Sequence, residues 1–309
     1  MTELRYDGRV AIVTGGGRGV GRSHALLLAS KGARVVVADY GVGIDGDGSS
    51  AEPATEVVAE IKAAGGEAVP CFASVADEAG AAAIVDTALQ TYGRLDAVIN
   101  NAGIHVAGAL LDLSTDQFRS MLDVHYLGTL FVTRAAWPHL MQAGYGRVVN
   151  TVSEAMLGGI PEHTSYGGAK GAVFGLTRTL ASEGLAHGIL VNAIAPRAFT
   201  RMSAAQSDKI AANHGISTEL MDQINAAMPP DLCAPAAAFL AHDSCQLSGE
   251  ILRVGLGGVA RIAVVASQGI NQTPLTAEDI AENLGTIMDL STGQVLEVAS
   301  GRPVQEAKQ

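Results

Sequence analysis

Short β-branched apolar runs alternate with helix-length stretches along the first 255 residues, and this rhythm limits the fold more than any other feature of the chain. "RVAIVT" (9–14) leads into a helix near 19–31, "ARVVVA" (33–38) into one near 52–64, and "EAVPCF" (67–72) into one near 77–91. "LDAVIN" (95–100) precedes a long helix near 115–143, and "RVVNTV" (147–152) one near 164–187. "ILVNAIA" (189–195) and "EILRVG" (250–255) complete the set. Runs that stay apolar without alternation belong to strands buried on both faces, and strands separated by helices pair in parallel. The pattern predicts an α/β fold: a doubly wound, Rossmann-type parallel sheet of seven strands in a single domain over 1–309. The core spans about 6–256. A C-terminal extension over about 257–309 is expected to add one strand, a helix capped by Thr276 running to about 289, and a short strand near 294–299.

Two segments interrupt the rhythm. "GVGIDGDGSSA" (41–51) is a Gly/Asp/Ser loop, and 197–229 is a long connection with a helical run inside it, which fits a substrate lid. A chain of 309 residues that is 48% hydrophobic can build a sizeable core. The formal charge of −11 argues against nucleic acid and anionic membrane as partners. Cys71, Cys233 and Cys245 have neither disulfide-framework nor zinc spacing and are expected as buried free thiols, with no metal site. The start "MTELRYDGRV" does not read as a signal peptide, and no apolar run reaches the length of a membrane span. "QEAKQ" at the end is not a peroxisomal S-K-L address, so the cytoplasm is the expected location.

"VTGGGRGVGRS" (13–23) closes the first strand and opens the first helix. Gly15, Gly19 and Gly21, with Val20 between them, let the backbone turn sharply and approach a pyrophosphate at the positive helix N-terminus. Asp39 follows the second strand, where a carboxylate accepts from a ribose 2′-hydroxyl and repels a 2′-phosphate. This favours NAD as cofactor. Arg18 pulls toward NADP, since a basic side chain there can pair with a 2′-phosphate.

With "NNAG" at 100–103, Ser153, and Tyr166 and Lys170 in "TSYGGAKGAV" added to that loop, the chain resembles the short-chain dehydrogenase/reductase family over its first 255 or so residues. The thirteen-residue interval from Ser153 to Tyr166 matches the family's spacing. "ADYGVGIDGDGSS", "VHYLGTLFVTRAAWPHL" (124–140), "NAIAPRAFTRM" (192–202) and "TPLTAEDIAENL" (273–284) are similar to a narrower group. That group is the (3R)-hydroxyacyl-CoA dehydrogenase unit of peroxisomal multifunctional enzyme type 2 and its free-standing bacterial relatives.

The residues make chemical sense of the likeness. Tyr166 and Lys170, four apart, share a helix face. An ammonium beside a phenol stabilises the phenolate, and bringing a tyrosine from about 10 to about 7 needs roughly 4 kcal/mol. Tyr166 would then act as general base on a substrate hydroxyl, with Ser153 fixing the same oxygen. The resemblance further implies that Lys170 grips the nicotinamide ribose and that His125, standing where the family has asparagine, links Lys170 to solvent. It also implies cofactor contacts at Ser74 and Val75, at Asn101, Ala102 and Gly103, and at Pro196 and Thr200. The family's glycine after Pro196 is here Arg197, which fits a phosphate contact, a substrate contact or a solvated charge equally well.

The expected activity is NAD-dependent interconversion of a secondary alcohol and a ketone on a (3R)-hydroxyacyl-CoA substrate, with Arg201, Arg253 and Arg261 as candidates for the CoA phosphates. Alternatives are a dehydrogenase of a free hydroxysteroid or small alcohol, an NADP-dependent ketoreductase, or an NAD-binding scaffold without turnover. Trp137 on the long helix fits either core packing or the interface of a homodimer or homotetramer, and the tail after 256 could cover the chain's own active site or a neighbour's.

Overall fold

The computed structural model describes residues 3–204, 207, 211 and 215–298. Each predicted apolar run forms a strand: β1 (Val10–Thr14), β2 (Arg34–Ala38), β3 (Glu67–Cys71), β4 (Ala97–Asn100), β5 (Gly146–Thr151), β6 (Ile189–Arg197) and β7 (Ile251–Gly255). They pair in parallel in the order β3-β2-β1-β4-β5-β6-β7. Their side chains alternate between two cores. Ala11, Val13, Val35, Val37 and Ile99 pack with α1 (Gly19–Ser30) and α2 (Glu52–Ala63) on one face. Val10, Ile12, Val36 and Val98 pack with α3 (Glu78–Tyr92) on the other. Fully burying each large aliphatic side chain contributes about 1.5–3 kcal/mol, so replacing one by a polar residue without a hydrogen-bond partner is destabilising on either face.

Seven strands were expected; among the described residues the sheet has eight. The eighth, β8 (Gly258–Ile262), is the first strand of the extension and pairs antiparallel with β7, Val254 opposite Val259. Leu256 and Gly257, both at positive φ (54° and 73°), make the two-residue turn that joins them. Two left-handed residues in succession match the twist of a hairpin. Leucine at the first of them conceals this turn from a sequence reading.

The rest of the extension also differs in detail. Thr276 caps a helix as expected, but the expected single helix is two, Ala277–Glu282 and Leu284–Met288. Gln294–Val295 pairs with Val265–Ala266 in a separate two-stranded sheet; residue 299, the end of the expected strand, lies outside the described residues.

The long helix is likewise interrupted. Thr115–Leu122 forms α4, Gly128–Ala143 forms α5, and Asp123–Leu127 between them is a π-helical turn that contains His125. Trp137 lies half-buried against the second core. The strand order reverses between β1 and β4, and an open α/β sheet has its crevice at the carboxyl ends of the strands at such a reversal.

Candidate active site

A cavity of about 760 Å³ occupies that crevice. At one end it is bounded by Gly15, Arg18, Gly19, Val20 and Asp39, and at the other by His125, Tyr166 and Lys170. Ser74, Val75, Ala102 and Gly103 line it between, with Pro196 and Thr200 on the facing wall. The described residues that line it end at Pro230, so no described residue of the tail lines the cavity.

The glycine loop is built by close approach. Gly15 (φ 60°) and Gly19 (φ 53°) are left-handed. Gly21 lies behind the loop, where a Cβ would sit 2.1 Å from the Gly15 carbonyl oxygen and 2.4 Å from Asn101 Nδ2. Asn101 braces the turn from the other side: its Nδ2 donates to the carbonyls of Thr14 and Gly15, both at 3.1 Å. Thr14 Oγ1 accepts from the N–H groups of Asn101 (3.0 Å) and Ala102 (3.1 Å). Gly21→Ala should therefore weaken nicotinamide dinucleotide binding by tenfold or more, about 1.4 kcal/mol, measured by titration calorimetry.

Asp39 is fixed by the same loop. The N–H of Gly17 donates to its Oδ2 and that of Gly41 to its Oδ1, each at 2.8 Å. A carboxylate has about four acceptor positions, so both oxygens keep capacity for ribose hydroxyls. Gly17 is required here, because its Cβ would lie 2.8 Å from Asp39 Oδ2 and 2.6 Å from Pro53 Cβ. Arg18 and Arg201 stand on the same side. The Arg201 guanidinium is pushed down by burial and then by the charge of Arg18.

At the other end, α6 (Thr164–Gly184) carries Tyr166 and Lys170 on one face. Lys170 is 3% exposed, and its Nζ donates to the Thr151 carbonyl at 2.7 Å and lies 5.7 Å from the Tyr166 ring centre. Ser153 ends in a short 3₁₀ turn (Glu154–Leu157), where its Oγ accepts from the Ala155 N–H at 3.2 Å and hydrogen-bonds Tyr166.

The electrostatics differ from the sequence expectation. Burial raises the Tyr166 phenol above its usual range, with the Ser153 hydrogen bond pulling it back down. Burial lowers Lys170 to about 7. Desolvation penalises phenolate and ammonium alike, and it outweighs their mutual attraction in the protein alone.

Three imidazoles surround the Tyr166 ring. The ring centres of His105, His125 and His163 lie 5.0, 5.4 and 6.1 Å from it. His125 is held by the Ile104 carbonyl at 2.8 Å, its Nδ1 is buried without a partner, and it is kept well below its usual pKa by burial and then by Lys170. Burial lowers His105 to about 4. His163 Nδ1 lies 2.9 Å from the Pro161 carbonyl. His105, His163 and Thr151 escaped the sequence reading because none stands in a quoted motif; Thr14 and Gly17 lie within "VTGGGRGVGRS", but their contacts to Asn101, Ala102 and Asp39 depend on tertiary neighbours.

The ambiguous arginines are resolved. Arg197 pairs with Glu154 rather than lining the cavity, and Arg253 joins the same carboxylate. Arg261 pairs with Glu250 and Glu297. Of the three arginines considered for CoA, only Arg201 faces the cavity.

A doubly wound sheet with a glycine-cradled cavity at its switch point defines the class as a nucleotide-binding oxidoreductase fold. The short chain dehydrogenase family model matches residues 9–211, and the chain belongs to that family. It is 40% identical to a short-chain type dehydrogenase/reductase of Mycobacterium tuberculosis, over 93% of this chain and 96% of the relative. It is 37% identical to peroxisomal multifunctional enzyme type 2 of Mus musculus, over 98% of this chain but 40% of that protein. A short chain dehydrogenase of Mycobacterium avium superposes with a TM-score of 0.77 at 35% identity, covering 93% of this chain and 98% of the other. Full-length peroxisomal multifunctional enzyme type 2 of Drosophila melanogaster superposes at 0.76 and 32% identity, covering 95% of this chain and 47% of that one. The protein is an oxidoreductase of this family. No helix among the described residues is long and apolar enough to cross a membrane.

Proposed function

We propose that the protein is an NAD-dependent dehydrogenase that interconverts the secondary alcohol and ketone of a (3R)-hydroxyacyl-CoA thioester. The observation that supports this best is that Tyr166, with Ser153 beside it, and Lys170 stand at one end of a single cavity and Asp39 at the other. The residues fit a nicotinamide dinucleotide: the loop leaves no room for a Cβ at Gly17 or Gly21, and His125 Nδ1 and Thr151 Oγ1 are buried polar atoms without partners beside Lys170. Bound there, oxidised nicotinamide would supply the hydride acceptor and a positive charge close to the phenol.

The chain's own residues handle the proton. Tyr166 takes it from the substrate hydroxyl, while Ser153 holds the oxygen at reacting distance. Lys170, charged in part at neutral pH, eases phenolate formation and donates to ribose hydroxyls. His125 is a positioning residue, and its unpartnered Nδ1 suits a water that leads from Lys170 toward solvent.

The thioester assignment rests on the multifunctional-enzyme relatives and on Arg201. A free hydroxysteroid or small alcohol is the alternative substrate. The three buried free cysteines suit a reducing compartment such as the cytoplasm. We read the chain as one Rossmann-type unit with its extension, acting as a homodimer or homotetramer.

The Arg18–Arg201 pair beside Asp39 favours a second reading, in which NADP is used. Comparing NAD and NADP affinities of wild type and Asp39→Ala decides between them. The expected outcome is a wild-type preference for NAD, with Asp39→Ala weakening NAD and improving NADP by about tenfold each. Tighter NADP binding by the wild type would contradict NAD use.

A further inference from the structure

Arg197 stands where the family pattern has glycine, and it does not line the cavity. Its side chain crosses to Glu154, Nε to Oε2 at 2.6 Å and Nη2 to Oε1 at 2.9 Å. A bidentate guanidinium–carboxylate pair fixes orientation as well as distance. Arg253 adds one longer contact, Nη1 to Glu154 Oε1 at 3.4 Å. The Arg197 hydrogen bond is the largest influence that holds the Glu154 carboxyl below its usual range, so the pair stays ionised at neutral pH.

What the pair connects gives it meaning. Glu154 directly follows Ser153 and opens the 3₁₀ turn whose Ala155 N–H sets the serine hydroxyl. Arg197 is the last residue of β6, between Pro196 and Ala198, and the chain then runs along the cavity wall through Thr200 to Ser203. The backbone of Arg197 is itself held. It pairs with Gly255 of β7, where a Cβ would lie 2.2 Å from the Arg197 carbonyl oxygen. One end of the bridge is therefore anchored in the sheet, and the other carries the serine.

We infer that Glu154 and Arg197 form a positioning latch that fixes Ser153, and with it the Ser153–Tyr166 pair, relative to the 198–203 wall of the cavity. This rests on the reading of Ser153 and Tyr166 proposed above. Neither latch residue touches the reacting atoms. Their side chains are 35% and 41% exposed, and pairs so exposed contribute little to stability. The latch therefore acts on geometry.

The test compares kcat with a (3R)-hydroxyacyl-CoA and NAD for wild type, Glu154→Gln, Ser153→Ala and the double variant. Glu154→Gln should lower kcat by about tenfold, since small misplacements at a reacting centre cost one to two orders of magnitude. NAD affinity should stay within about twofold and Tm within about 2 °C. On the Ser153→Ala background Glu154→Gln should cost nothing further, because the group it positions is gone. Wild-type kcat in Glu154→Gln, or an equal loss on both backgrounds, overturns the latch. Full activity in Ser153→Ala and Tyr166→Phe overturns instead the reading on which it rests.

A second readout needs no substrate. The Tyr166 ionisation, isolated by subtracting the absorbance titration of Tyr166→Phe, should move upward in both Glu154→Gln and Ser153→Ala. A midpoint unmoved by Glu154→Gln but raised by Ser153→Ala also overturns the latch.

Discussion

Replacing Tyr166 with phenylalanine should lower kcat by about a thousandfold while leaving cofactor affinity within a few-fold. Only one atom is lost. The ring keeps its edge contacts with His105, His125 and His163, and Lys170 keeps its bond to the Thr151 carbonyl. What disappears is the hydroxyl that Ser153 hydrogen-bonds and that would take the substrate proton. General-base removal costs about 10²–10⁴, and a thousandfold is the middle of that range. The lost hydrogen bond should cost about 1 kcal/mol of stability. Steady-state kinetics, titration calorimetry and a melting curve separate the three effects.

Lys170→Met should remove activity by at least about a hundredfold and yet raise Tm near neutral pH. Burial lowers this lysine from 10.5 to about 7, so the folded state releases its proton well before the unfolded state does. Between those values the unfolded chain binds more protons, and wild-type stability rises with pH. Below about pH 7 the lysine is charged in both states and its desolvation cost is fully present, roughly 5 kcal/mol. Methionine removes that cost but leaves the Thr151 carbonyl without its donor, which returns about 1–3 kcal/mol. The net expectation is a Tm gain of a few degrees at pH 6.5 that fades as pH approaches 10. A gain that grows with pH would contradict the sign of the shift.

Much of this was legible in the residues. Strands such as "RVAIVT" and "RVVNTV" carry adjacent apolar residues without alternation because both of their faces are buried, and that pattern predicts the parallel sheet. The glycine loop, Asp39, Tyr166 and Lys170 converge on one cavity, with Ser153 beside Tyr166, because each stands at the end of a strand or in the first turns of a helix, where sequence order dictates place. What escaped depends on backbone detail or on tertiary neighbours. The β7–β8 turn uses a left-handed leucine, and the π turn at His125 has no propensity signature. Arg197 could not be assigned without its partner, 43 residues earlier in the chain. The i, i+4 spacing of Tyr166 and Lys170 placed them together but said nothing of how dry their surroundings are, and dryness sets both pKa values.

The most direct test of the central claim follows an isotope. A (3R)-hydroxyacyl-CoA carrying deuterium on C3 is incubated with NAD and the protein, and the reduced nicotinamide is weighed by mass spectrometry. The account predicts a reduced cofactor heavier by one deuterium with wild type and almost none with Tyr166→Phe. Reduced cofactor without the label, or equal labelling in both proteins, would contradict hydride transfer from a carbon whose hydroxyl proton Tyr166 removes.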